Sequence, residues 1–170
     1  KNTASDFRSN KDLINFEKQN LLNRYKNYLK AIKILKRTLG EEHLLYAKSL
    51  INFAELLNDQ EQFSSAENYL KQALNIIEKS NPLGQSFKII AAGAPQKQNQ
   101  TKTKSILEEL KSWIPFPNYA RAINDLAYNY HKQGKYQSAA SLYKRAIDLR
   151  EVIYGKEHPS VALSMSNLGV

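Results

Sequence analysis

The sequence predicts an all-α fold, a solenoid of antiparallel helix pairs. Three observations carry that prediction. Small and apolar residues recur at helical spacing, a 42-residue unit repeats along the chain, and turn residues are scarce. Only 6 Gly and 5 Pro occur in 170 residues, too few to punctuate many short strands. That length and an apolar fraction of 42% suffice for one ordinary domain or a few stacked units.

The repeat is found by sliding the chain against itself. Ala31-Ile32 through Leu39-Gly40-Glu41-Glu42-His43-Leu44, followed by Ala47, Leu50, Asn52, Phe53 and Ala54, recurs 115 residues later without a gap. The second copy runs from Ala146-Ile147 through Tyr154-Gly155-Lys156-Glu157-His158-Pro159, then Ala162, Met165, Asn167, Leu168 and Gly169. A further copy lies between them. Ala47, Leu50, Phe53, Ala54, Leu57, Phe63, Ala66, Leu70 and Ala73 match Ala120, Ile123, Leu126, Ala127, Tyr130, Tyr136, Ala139, Tyr143 and Ala146 at an offset of 73. From Pro117-Asn118-Tyr119-Ala120 to Pro159-Ser160-Val161-Ala162 the offset is 42, so the first linker is 31 residues longer than the unit requires. A period in this range marks supersecondary units that bury their faces only by stacking.

Taken in order, residues 1–20 form a polar N-terminal segment or cap, with 1–10 a flexible tether. Apolar residues at 13, 14, 16, 21, 22, 25, 28, 29, 32 and 35 sustain a helical stripe from Asp12 to Leu39. Its second half is the outer helix of an incomplete first unit, and its first half is either a cap or part of one long helix. Residues 21–80 hold this partial unit and the first full one. Residues 81–116 are an insert that opens on Asn81-Pro82-Leu83-Gly84 and ends on the short amphipathic candidate Ile106 to Trp113. Six Lys and two acidic residues between Lys79 and Asn118 make it basic. Trp113 and Phe116 either pack the insert on the solenoid or anchor a partner. Residues 117–158 form the second full unit, and 159–170 begin another. Within the second unit, Gly134 sits in a short turn where a positive φ ends a helix at low cost. Pro117 and Pro159 precede helices, where a missing N–H costs nothing. Ala54, Ala127 and Gly169 are small for close helix approach, with Ala66, Ala73, Ala139 and Ala146 on the facing side.

The strings Tyr130-His131-Lys132-Gln133-Gly134-Lys135-Tyr136-Gln137-Ser138-Ala139 and Tyr143-Lys144-Arg145-Ala146-Ile147 resemble tetratricopeptide repeats. With Arg150-Glu151 and Gly155-Lys156-Glu157-His158-Pro159, the match is to the 42-residue variety of kinesin light chains. The first unit departs from the pattern, with Glu61 at the turn-glycine position and Leu44 in place of the proline. The resemblance covers residues 21–80 and 117–170. It implies a right-handed superhelix that binds other proteins or peptides, with the first helix of each hairpin along a concave groove. It implies groove residues Lys48, Asn52 and Glu55 in one unit, Arg121, Asn124, Asp125, Tyr128 and His131 in the next, and Asn167 in the last. The spacing of Asn124, Tyr128 and His131 places them on one exposed stripe. A carboxylate clamp of the kind some relatives use is not visible, since Ile51 and Glu55 stand in its place.

Chemistry is expected to be absent. No Gly-rich phosphate loop, nucleophile elbow or metal-spaced His/Cys cluster occurs, and there is no Cys. No catalytic residue, metal or cofactor is therefore expected. His43 and His158 share one repeat position between units, which argues for a loop role over a ligand or base. The net charge of +9 is read either as a solvated surface or as one that meets RNA, acidic proteins or anionic lipid. No stretch is apolar enough to span a bilayer. The chain opens on Lys1 and stops within a helical pattern at Val170, so both ends read as cuts in a longer intracellular protein. The expected function is a non-catalytic scaffold or structural subunit of a larger assembly, or else an adaptor that recognises a short motif in its groove.

Overall fold

A computed structural model describes residues 10–80 and 116–169, with the side chains of residues 116 and 117 excepted. Six helices account for these residues: α1 (Asn10–Leu39), α2 (Leu44–Asp59), α3 (Phe63–Lys79), α4 (Phe116–Lys132), α5 (Tyr136–Tyr154) and α6 (Pro159–Leu168). Among them there is no strand. Each helix packs on the next one present, most extensively within the hairpins α2–α3 and α4–α5, and α3 against α4 joins the two units. Residues 81–115, with Trp113 and the short amphipathic candidate of the insert, lie outside the described residues.

The helix ends show why these residues fold this way. At the α2–α3 turn Gln62 N–H donates to Leu57 O at 2.8 Å and Glu61 N–H to Asn58 O at 3.0 Å. At the α4–α5 turn Lys135 N–H donates to Tyr130 O at 2.9 Å and Gly134 N–H to His131 O at 3.0 Å. These are paired 6→1 and 5→2 bonds, which consume the free carbonyls of a helix end and need a left-handed residue. Gly134 supplies it at φ 74°, and Glu61 supplies it at φ 58° despite its side chain. Two helix starts are capped by histidine. His43 and His158 stand just before α2 and α6, and each Nδ1 accepts an amide two residues on, Leu45 and Ser160, at 3.1 Å. The loop role read for them is thus an N-cap, which satisfies an orphan donor.

The core runs through both units. Leu50, Phe53, Ala54 and Leu57 of α2 meet Ala66, Leu70, Ala73 and Ile77 of α3, and the cluster continues into Tyr119, Ala120, Ile123 and Leu126 of α4. The Phe53 ring touches Tyr25 and Tyr69 edge-on, both with centroids 5.1 Å away, so one phenylalanine ties α1, α2 and α3 together. A smaller cluster of Ala127, Ala139 and Tyr143 closes the second hairpin. Residues 12–39 belong to a single 30-residue helix, the second of the alternatives left open above, and none of its residues is fully buried.

Two positions stand apart from the packing pattern. Gly169 ends α6 in the left-handed conformation at φ 83°, and no atom lies within 4 Å of where its Cβ would stand. Its positive φ is a backbone use of glycine, and the helix it was expected to meet is not among the described residues. Tyr136, aligned with packing residues, is 65% exposed, while its counterpart Phe63 is half-buried where Asn129 of α4 reaches it.

Candidate functional site

The inner helices α2, α4 and α6 carry every residue expected to line the groove, and the structure divides them into three groups. The first is self-paired. Arg121 of α4 donates to Asn52 Oδ1 at 3.2 Å and to Glu55 Oε2 at 2.5 Å on α2. Its Nε lies 3.7 Å from Asp125 Oδ2. Asn52, Glu55, Arg121 and Asp125 therefore form one cross-unit polar cluster. Asp125 Oδ2 is buried and has no hydrogen-bond donor. Burial, opposed by the Arg121 charge and reinforced by Glu55, pushes its carboxyl up to about 6.

The second group is corrected. Asn124 is not on an exposed stripe but 7% exposed, and its Oδ1 accepts from the Ser164 hydroxyl of α6 at 3.2 Å. Arg150, also buried, donates to Ser164 Oγ and to Ser160 O, both at 2.7 Å. Burial disfavours the charged form of Arg150, so those bonds are what hold it there. The reason for the correction is visible in the repeat. Asn124 stands 73 residues after Ile51, which is buried in the first unit, so the position faces a neighbouring helix in both.

The third group remains open. Lys48, Tyr128, His131 and Asn167 are exposed. Tyr128 and His131 do share one side of α4, and Lys132 Nζ lies 5.4 Å over the Tyr128 ring. His131 meets Tyr136 edge-on with centroids 5.4 Å apart. At the end of α4 and the start of α5 this makes a patch of two tyrosines, a histidine and a lysine.

Sequence reasoning missed the polar contacts that lock the units. Asn129 is fully buried and donates to Asn58 Oδ1 at 2.7 Å and Phe63 O at 2.8 Å. Glu67 of α3 accepts from Lys71 at 2.6 Å, Gln133 at 3.1 Å, and Tyr130 and Lys135 at 3.2 Å each. Burial raises the Glu67 carboxyl, but the bonds from Lys71, Gln133 and Lys135 outweigh it and bring it to about 2. Tyr119 donates to Glu78 Oε1 at 2.7 Å and accepts from Arg145, which joins α3, α4 and α5. Burial holds the Tyr119 hydroxyl well above the ordinary phenol range. A signal for two of these was present: Asn129 and Arg150 fall where the first unit has the buried Leu56 and Ile77.

Among the described residues no group of three or more His, Asp or Glu side chains could hold a metal ion. No described helix is long and apolar enough to cross a membrane. The architecture defines a class, a repeat solenoid that offers helical faces to other macromolecules. The family model of the tetratricopeptide repeat matches residues 15–79 and 118–170, and the chain belongs to that family. Its two matched stretches leave out 80–117, within which lie residues 81–116 read as an insert. Repeats of this kind mediate protein–protein interaction and scaffolding.

Proposed function

We propose that this chain is a non-catalytic scaffold that holds another protein against the patch where α4 ends and α5 begins. The observation that carries the reading is the exposure there of Tyr128, at 36%, and Tyr136, at 65%. Their rings lie beside His131 and Lys132 and outside the described core clusters. Tyrosine combines large apolar area with a polar tip and few rotatable bonds, which is why it dominates contact hot spots.

The alternative, an adaptor that clamps an extended peptide along the whole groove, is less favoured. Such a groove needs free amide and charged groups to pair with a peptide backbone. Here Asn52, Glu55 and Arg121 already pair with one another, and Asn124 is committed to Ser164. Breaking those pairs would set a cost against each new bond.

The test is affinity capture from native extract with the wild-type chain and with Tyr128→Ala/Tyr136→Ala, quantified by mass spectrometry. The double variant is expected to keep its melting temperature and lose about 1–3 kcal/mol of binding to the captured proteins. Retention of the same proteins at the same level would move the contact to another face.

A further inference from the structure

The charge of this protein is not spread evenly over its repeats. From Lys18 to Arg37 the sequence has seven basic residues and no acidic one. Along α1, Leu22, Lys26, Leu29, Lys30, Lys33 and Arg37 are all exposed. At about 100° per residue they occupy roughly a third of the helix circumference, with the two leucines along one edge of a row of cations. Leu22 is 44% and Leu29 39% exposed. Among the described residues the ion pair on this helix is Lys36 with Glu41, which leaves the row itself without carboxylates.

The repeat provides an internal control. The residues 42 positions after Lys26, Lys30 and Lys33 are Asn68, Gln72 and Asn75 of α3, and those 115 positions after are Ser141, Arg145 and Asp148 of α5. Outer helices of this fold therefore do not need lysine on that side. The same positions in α3 and α5 are exposed or half-buried although both helices have their full set of hairpin neighbours. The Lys26 and Lys33 positions thus point away from the stack. The Lys30 position is half-buried in both helices, with Arg145 reaching Tyr119 and Glu78, and the Arg37 position carries in α5 the core-packed Val152.

We propose that this face of α1 is a docking surface for an acidic amphipathic helix of a partner protein, with apolar residues at seven-residue spacing and Asp or Glu beside them. Charge complementarity supplies the long-range attraction and the orientation. The seven-residue spacing of Leu22 and Leu29 supplies the apolar seam that a facing helix would cover. From Leu22 to Arg37 is about 22 Å of helix, four turns, which suits a partner helix of two to three heptads. A phosphate backbone would exploit the cations but leave both leucines in water. An anionic membrane would need a broad apolar face, and that face of α1 (Leu21, Tyr25, Tyr28, Ile32 and Leu35) is spent on the core. This surface is separate from the Tyr128–Tyr136 patch and does not depend on it.

The experiment measures binding of the full chain by fluorescence anisotropy to a three-heptad peptide with Leu at its core positions and Glu flanking them. A scrambled peptide of the same composition, a single-stranded RNA oligomer and vesicles rich in phosphatidylserine are run beside it. The patterned peptide is expected to bind at least about tenfold more tightly than the scrambled one. Lys26→Gln/Lys30→Gln/Lys33→Gln should weaken it about tenfold and flatten its salt dependence. Leu22→Ser/Leu29→Ser should weaken it without changing the salt slope, and Tyr128→Ala/Tyr136→Ala should bind as wild type does. Equal binding of the two peptides by the wild-type chain overturns the proposal. So does RNA or vesicle binding tighter than the patterned peptide and unaffected by loss of the leucines.

Discussion

Glu61 and Gly134 occupy the same turn in successive units and make the same backbone hydrogen bonds, yet one has a side chain at positive φ and the other does not. The left-handed conformation costs an L-residue about 1–2 kcal/mol, whereas glycine adopts it freely. Glycine gives back about 0.5–1 kcal/mol through the greater freedom of its unfolded chain. Glu61→Gly should therefore stabilise the protein by a net ~0.5–1 kcal/mol, and Gly134→Ala should destabilise it by ~1 kcal/mol. No atom lies within 4 Å of the Gly134 Cβ position, so that loss would be backbone strain alone. Urea denaturation of the two variants checks both signs, and a loss in Glu61→Gly would show that its carboxylate does more than fill the turn.

At the scale of the helices, small residues set how closely the hairpins pack. Ala139 of α5 is 1% exposed against Ala127 and Tyr143, while Ser141, two residues on, is exposed. Ala139→Leu adds three carbons where no space exists and should cost about 1–3 kcal/mol. Ser141→Leu should change stability by less than ~0.5 kcal/mol, as surface substitutions usually do. Thermal melts of the pair decide the matter, since equal losses would mean that the helix face is misassigned. Periodicity in the sequence located this face because packing repeats every three or four residues. Tyr136 at the first turn of α5 is exposed, whereas Phe63 at the first turn of α3 is half-buried beside α4, a difference that periodicity does not encode.

At the scale of the molecule, cross-unit polar contacts join the core in holding the units in register. Glu67 gathers Lys71, Tyr130, Gln133 and Lys135 and so fastens α3 to α4 and to the turn after it. Its folded carboxyl lies below its ordinary value of 4.5, at about 2. The contribution is therefore complete above pH 4.5 and is lost as pH falls toward 2. Glu67→Gln should cost about 1.5–3 kcal/mol at neutral pH, the range for hydrogen bonds to a charged group. That deficit should shrink steadily below pH 4.5 in chemical denaturation at a series of pH values. A deficit independent of pH would assign the loss to shape and not to charge.

The repeat period, the hairpins, the turn at Gly134 and the alanine crossings were legible in the amino-acid order, because each follows from local spacing or from a residue type with one backbone use. The exposure of Tyr128 and His131 was legible too, since they lie one turn apart on one side of α4. Other features were decided only by the folded neighbours. Asn124, Asn129 and Arg150 are polar side chains at positions where the first unit has Ile51, Leu56 and Ile77, and they are buried with partners up to 71 residues away. Polarity alone marks such a residue as a surface group. Whether it lies in water or in a buried hydrogen bond depends on which distant helix supplies the partner, and only the tertiary structure brings that helix into place.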